Sequence, residues 1–303
     1  KLFQETTNLG SIYINSGSEL YFGRKDILNE GTITIHGSGS VLRTFNGSMG
    51  YSNAHTTIAG SGQINLENGA LLELSAGVSE YYRPYPRGST YYQTYGQVDN
   101  DIHIDSTSSL HSRFYTSDHY WSKSNKINGN LLNEGTVDID HDLSINGEVT
   151  NDGSFEVYNS SSYVNNNFAS VGDIKITNAT LNITGDLSSE SPINITDGRL
   201  TVDGSFVSED TIRISGSTIS GSGYLNNNSN ISGTGTISIP FNNPSGSSIV
   251  SDNGGTLKFS GGNQINSGNI GASNSEKIKL LGSFENLGSI YINSGSELYF
   301  GRK

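Results

Sequence analysis

Apolar residues along this chain fall in short alternating clusters, not in helical stripes. Thr-Val-Asp-Ile at 136–139, Phe-Glu-Val at 155–157 and Ile-Lys-Ile at 174–176 place an apolar side chain at every second position, the period of a strand with one buried face. Gly, Asn and Ser, which turn the chain, bound each cluster. The pattern predicts an all-β protein. The first apolar residues of successive clusters, Val137, Phe155, Ile174, Ile193 and Ile212, stand at intervals of 18, 19, 19 and 19. Ile237, Leu257, Ile278 and Ile290 extend the series less evenly, and Ile12 to Ile33 is 21. A strand-sized unit that returns with so nearly constant a spacing predicts a β-solenoid whose coils stack and pair through their backbones. Strand twist and crossover hand predict that it is right-handed.

The motif Asn-x-Gly-Ser/Thr-Ile/Val-x-Ile/Val recurs at Asn8, Asn29, Asn133 and Asn286, with a variant at Asn151. Its place between strands assigns Gly to corners that need positive φ, and Asn to a hydrogen-bonded ladder along the axis. The rung from Asn133 contains three short strands with corners between them, a roughly triangular coil. Asn8, Asn29, Asn133 and Asn151 are therefore read as structural.

A longer period overlies the short one. The string NLGSIYINSGSELYFGRK at 8–25 returns letter for letter at 286–303. The chain is read as one period of a tandem array with an overlap into the next copy; an engineered duplication, or a segment cut from a continuous fibre, is the alternative. One period corresponds to about fourteen coils. The organisation expected is coils at 1–37, coils with long insertions at 38–130, regular coils at 131–285, and the start of a further repeat at 286–303. The insertions, 80–97 and 111–126, hold eight of the 16 Tyr and the one Trp. In a solenoid, such insertions protrude from one side and carry function.

Composition narrows the partners. Net charge is −12 without a polybasic run, which argues against nucleic acid. No apolar run approaches the length of a membrane-spanning helix. The chain holds no Cys, which excludes disulfides and thiolate metal sites. It begins at Lys1 and is read as a mature or trimmed piece. Seven N-glycosylation sequons, at Asn46, Asn159, Asn178, Asn182, Asn194, Asn227 and Asn230, fit an extracellular address.

Two clusters invite chemistry. Tyr81, Tyr82, Arg83, Tyr85, Arg87, Tyr91, Tyr92 and Tyr95, with Arg113, Tyr120 and Trp121 of the second insertion, form a candidate interaction surface. Aromatic faces and Arg are what protein and sugar contacts favour. The competing reading is that these tyrosines cover adjacent coils. Asp138, Asp140 and Asp142 are candidate calcium ligands, because alternate acids share one face of a strand. Leu143 stands where a calcium loop would need Gly, however, and a solvated acidic face is the favoured reading. No cofactor is otherwise implied. The six His show no triad-like spacing, and no pair of carboxylates marks a catalytic cleft, so the chain is expected not to be an enzyme.

The Asn-x-Gly-Ser-Ile-x-Ile coils, with GSGSV, GTGTISI and DNGGTLKFSGG, resemble those of microbial cell-surface β-solenoid proteins. These include the hyphally regulated yeast cell-wall adhesins, passenger domains of bacterial autotransporter adhesins, and repeat proteins of sheaths and filaments. The resemblance implies a cell-surface role in adhesion or fibre building and carries over no site residue. The expected function is a non-enzymatic structural or adhesive element of an extracellular fibre, sheath or adhesin. It would stack end to end and meet other copies of itself, or surface polysaccharide, through the Tyr-rich loops. A carbohydrate-binding or polysaccharide-degrading β-helix is the alternative.

Overall fold

Alternation in the sequence becomes a stack of parallel strands in a computed structural model, which describes residues 6–21, 26–44, 56–82, 89–114, 124–252 and 254–301. The described residues form a β-solenoid of about thirteen turns of roughly twenty residues and contain no helix. The count is one below the sequence expectation, because insertions lengthen some coils. The chain divides into two compact units, Lys1–Tyr163 and Val164–Lys303.

Each coil contains three short strands, here termed a, b and c. In the first unit the a-strands are Ser11–Ile14, Thr32–His36, Gln63–Glu67, Asp101–Ile104, Leu131–Asn133 and Val149–Asn151, each paired in parallel with the next. The b-column runs from Glu19–Tyr21 through Val41–Thr44, Leu71–Tyr82, Ser109–Phe114 and Thr136–Ile139 to Ser154–Tyr158. The c-column includes Ile27–Asn29, Thr56–Ala59, Gly96–Val98, Asn125–Ile127 and Leu143–Ile145.

In the second unit the a-column runs from Phe168–Ser170 to Phe284–Asn286, the b-column from Asp173–Thr177 to Ser289–Ile292, and the c-column from Thr180–Ile183 to Glu297–Phe300. Here the uneven tail of the apolar series is explained. Ile237, Leu257 and Ile278 are c-strand residues, whereas Ile212 lies in b. The true column is Ile212, Ile231, Ile249, Ile270 and Ile290, spaced by 19, 18, 21 and 20.

Inward residues alternate with outward ones, as the period requires. Val137 and Ile139 are fully buried, with Asp138 between them facing out. Phe155, Phe168, Phe206, Phe241 and Phe259 are the largest fully buried side chains, and each such burial stabilises by about 1.5–3 kcal/mol. A third of the residues suffices for the core, because every coil buries one side of each strand and shares its backbone bonds with its neighbours.

The Asn ladder is present. Asn8 Nδ2 donates to Asn29 Oδ1 at 2.7 Å and Asn133 Nδ2 to Asn151 Oδ1 at 2.6 Å. In the second unit Asn227, Asn243, Asn266 and Asn286 hand the bond along at 2.8, 2.7 and 2.7 Å. The motif does not keep one corner in the first unit. Asn8 and Asn29 end c-strands, while Asn133 and Asn151 end a-strands.

The motif's glycine has a different role from the one expected. Gly31 and Gly153 are not at positive φ; a Cβ there would lie 2.0 Å from the carbonyl oxygens of Gly10 and Gly135 in the preceding coil. Close approach of rungs, not turn conformation, demands Gly. Positive φ falls at other corner residues: Gly17, Gly39 and Gly69 between a- and b-strands, at 73, 78 and 84°, and Asn159, Asn178 and Asp197 between b- and c-strands, at 48, 49 and 48°.

Candidate functional site

Three successive coils of the first unit open at one corner, between b and c. Chain leaves after Thr44, after 71–76 and after Phe114, and returns at Thr56, Gly96 and Asn125. The anticipated insertions 80–97 and 111–126 are two of these. A third, 45–55, lacks the Tyr-rich composition of the other two and shows in the register: Ile33 pairs with Ile64 in the next rung, a step in sequence well beyond one ordinary coil. The first anticipated insertion is not a loop but a β-hairpin. Strand Leu71–Tyr82 leaves the stack and pairs antiparallel with Ser89–Thr94, placing Tyr81 opposite Thr90 and Tyr91 opposite Glu80. This is the one antiparallel pairing among the described residues.

Under the opened corner lies a buried polar pedestal. Asn125 accepts the Gly96 N–H at 2.9 Å and donates to the Leu74 carbonyl at 3.1 Å and to Ser112 Oγ at 2.9 Å. Ser112 donates onward to the His141 carbonyl at 2.8 Å. Asn125, Ser112 and Thr44 are all buried. Gly96 is obligatory here, since a Cβ would meet Thr44 Oγ1 at 2.1 Å. Where insertions interrupt the regular ladder, these bonds satisfy the backbone groups left inside.

Beside the pedestal, one outward column of b-strand residues runs Tyr21, Arg43, Glu73, His111, Asp138, Glu156 through six rungs. Arg43 Nε lies 3.2 Å from Glu73, which is almost fully buried, and Arg43 Nη1 donates to the Tyr21 hydroxyl at 2.9 Å. The Tyr21 hydroxyl in turn donates to Glu19 at 2.5 Å, and this bond, ahead of burial, raises its pKa. Burial works against the Arg43 charge, but Glu73, Tyr21 and Glu19 outweigh it and hold the guanidinium above its ordinary value. His111 is pushed below its ordinary pKa by burial and by Arg113, which prevail over Asp138 and Glu73.

Asp138, Asp140 and Asp142 do not assemble as a cation site. Arg113 bridges the first two, at 2.5 Å to Asp138 and 3.2 Å to Asp140, so a guanidinium already stands where a cation would. Asp142 instead accepts the Ser161 N–H at 2.6 Å. Among the described residues no group of three or more His, Cys, Asp or Glu could hold a metal ion. Arg113, a candidate contact residue of the second insertion, is thus paired within its own chain.

Of the aromatic cluster, Tyr81, Tyr82, Tyr91 and Tyr92 are on the hairpin strands. Tyr95 is half-buried at the base of the hairpin, with Lys126 Nζ 5.5 Å from its ring centre. Arg83, Tyr85, Arg87, Tyr120 and Trp121 lie outside the described residues, as does Asn46. Among the sequons, Asn159, Asn178 and Asn230 are exposed, and Asn182 and Asn194 half-buried. Asn227 is a buried ladder residue whose Nδ2 is committed to Asn243; a glycan there would break the ladder.

No protein-family model, curated protein or solved structure matches the chain. The geometry therefore has to carry the reading alone. It offers a charge-compensated column of b-strand residues beside a corner that three coils leave open.

Proposed function

We propose that this chain is a non-enzymatic structural or adhesive element of the cell exterior, working through the segments that leave the b–c corner. The observation that carries this reading is the opening of one corner in three consecutive coils over a dedicated buried pedestal. A solenoid gains no stability from such insertions, since the regular coils close the same corner with a single left-handed residue. The first insertion is rich in Tyr and Arg, a composition suited to contact. The partners proposed are other copies of this chain, or surface polysaccharide. The acids of the neighbouring wall favour this over catalysis, because Glu73, Asp138 and Asp140 face Arg43 or Arg113, where a glycosidase needs two carboxylates across an open cleft.

Replacing 78–93 by Asn-Gly, to close the hairpin at its base, tests the reading. The expected outcome is an unchanged β circular-dichroism signal with loss of self-association and of binding to glycan-coated surfaces. Association and binding at the level of the parent chain would overturn it. Oligosaccharide turnover in a polysaccharide panel would favour the carbohydrate-active alternative.

A further inference from the structure

The hairpin of the first unit carries an open strand edge. Where strand Leu71–Tyr82 lies in the stack, Val41–Thr44 and Ser109–Phe114 flank it on either side, as far as Leu74 and Ala76. Beyond Ala76 it pairs with Ser89–Thr94, and Ser89–Thr94 has no second partner among the described residues. One row of backbone N–H and C=O groups along 89–94 therefore stands ready to bond another strand. Two strands alone are marginal in water, and additional strands make such a ribbon hold. The sequence of the edge says what suits it. Edges are ordinarily blunted by charge, proline or a bulge. The segment Ser-Thr-Tyr-Tyr-Gln-Thr has neither charge nor proline, and it lies in an uncharged run over 88–98. Its register against 77–82 is unbroken through all six positions, so no bulge turns it aside. Thr and Tyr favour the extended backbone, and short uncharged segments of this kind pair with their own copies. The other hairpin strand carries Glu80, which a symmetric contact would bring near its own copy. With a net charge of −12, two chains repel over most of their surface, and an uncharged edge is where they approach with least opposition.

We propose that strand Ser89–Thr94 of one copy pairs antiparallel with Ser89–Thr94 of a second copy, joining two hairpins into one four-stranded sheet across a two-fold axis. Only one antiparallel register pairs all six residues of both strands, with the axis between Tyr91 and Tyr92. It sets Ser89 against Thr94, Thr90 against Gln93 and Tyr91 against Tyr92 of the other copy. Aromatic positions then meet at the centre, the cross-strand pairing that sheets favour, and no like charges face each other. A glycan has no backbone ladder to match the edge, so the second copy is the occupant that the open row of donors and acceptors fits. This inference names the partner and the contact within the proposed function and rests on that reading.

The chain has no cysteine, so single introduced thiols report the register directly. Full-length Thr90→Cys and Gln93→Cys chains, mixed in equal amounts and oxidised, are expected to give a disulfide dimer on a non-reducing gel. Each variant alone is expected to stay monomeric there, because like positions then stand too far apart to bridge. Circular dichroism of each variant checks that it folds. A mixture that stays monomeric overturns the proposal. So does a dimer formed as readily by either variant alone, which a parallel or unordered contact would give. Tyr91→Lys combined with Tyr92→Lys sets like charges opposite each other across the axis. Self-association of that chain, read by sedimentation, is expected to weaken on the order of tenfold, and association at the parent level overturns the proposal as well. Hairpin-dependent glycan binding without the mixed dimer refutes the strand pairing alone. A mixed dimer in the parent background, with association and glycan binding that survive closure of the hairpin, refutes the surface reading alone.

Discussion

The first unit opens the b–c corner in three coils, where the described coils of the second close it. In the second, Asn178 and Asp197 each close it with one left-handed residue, and partners in adjacent rungs stay a single ordinary coil apart. In the first, the same corner opens three times, and a buried network centred on Asn125 replaces the simple turn. Regularity gives the second unit its ladder of Asn227, Asn243, Asn266 and Asn286. Irregularity obliges the first to bury Glu73 beside Arg43 and to stack a histidine among charges. A repeat fold can present variable chain only where the coil closes on itself without it, so the insertions mark where the solenoid can yield sequence to contact.

The comparison breaks most severely in the core of the regular unit. Phe206→Ala removes a fully buried ring and is expected to cost about 3–5 kcal/mol, measured by urea denaturation. If the first unit folds by itself, hydrogen exchange will locate the loss mainly in coils flanking Phe206.

Next come the corner glycines. Gly282→Ala would set a Cβ 1.8 Å from the Gly261 carbonyl, a crowding expected to cost about 1–3 kcal/mol. Gly262→Ala, with nothing within 4 Å of its Cβ, is expected to leave the thermal midpoint unchanged. Equal effects of the two would remove rung contact as the reason for glycine.

Asn125→Ala tests the pedestal. It strands the buried Gly96 N–H and is expected to cost about 1–3 kcal/mol, with faster amide exchange at Gly96 and along Ser89–Thr94. Unchanged exchange in the hairpin would show that the pedestal does not hold the opened corner.

The smallest expected effect is a pH dependence confined to the first unit. Because the folded-state pKa of His111 lies below its ordinary value of about 6.5, the unfolded chain binds the proton first on acidification. The contribution of this group is complete above pH about 6.5 and declines as pH falls toward the folded value. His111→Gln is expected to flatten that part of the stability profile, and a variant with an unaltered profile would exclude His111 as its source.

Apolar alternation, the regular return of the strands, the Asn ladder and the two identical strings were legible in the sequence, because each follows from residue type and spacing along one strand or one corner. The sequence also located two of the three insertions, since their Tyr-rich composition differs from the coils. What the tertiary structure decided is which residues meet across rungs. The partner of Arg113 is one rung on in the same column, and an insertion lies between them in the chain. Nothing local to Asp138 or Asp140 announces a guanidinium between them. Likewise the need for Gly153 lies in a carbonyl of the preceding coil and not in its own φ. Spacing fixes the period of a solenoid, but insertions change the offset between neighbouring rungs. Only the stacked backbone shows which charge faces which.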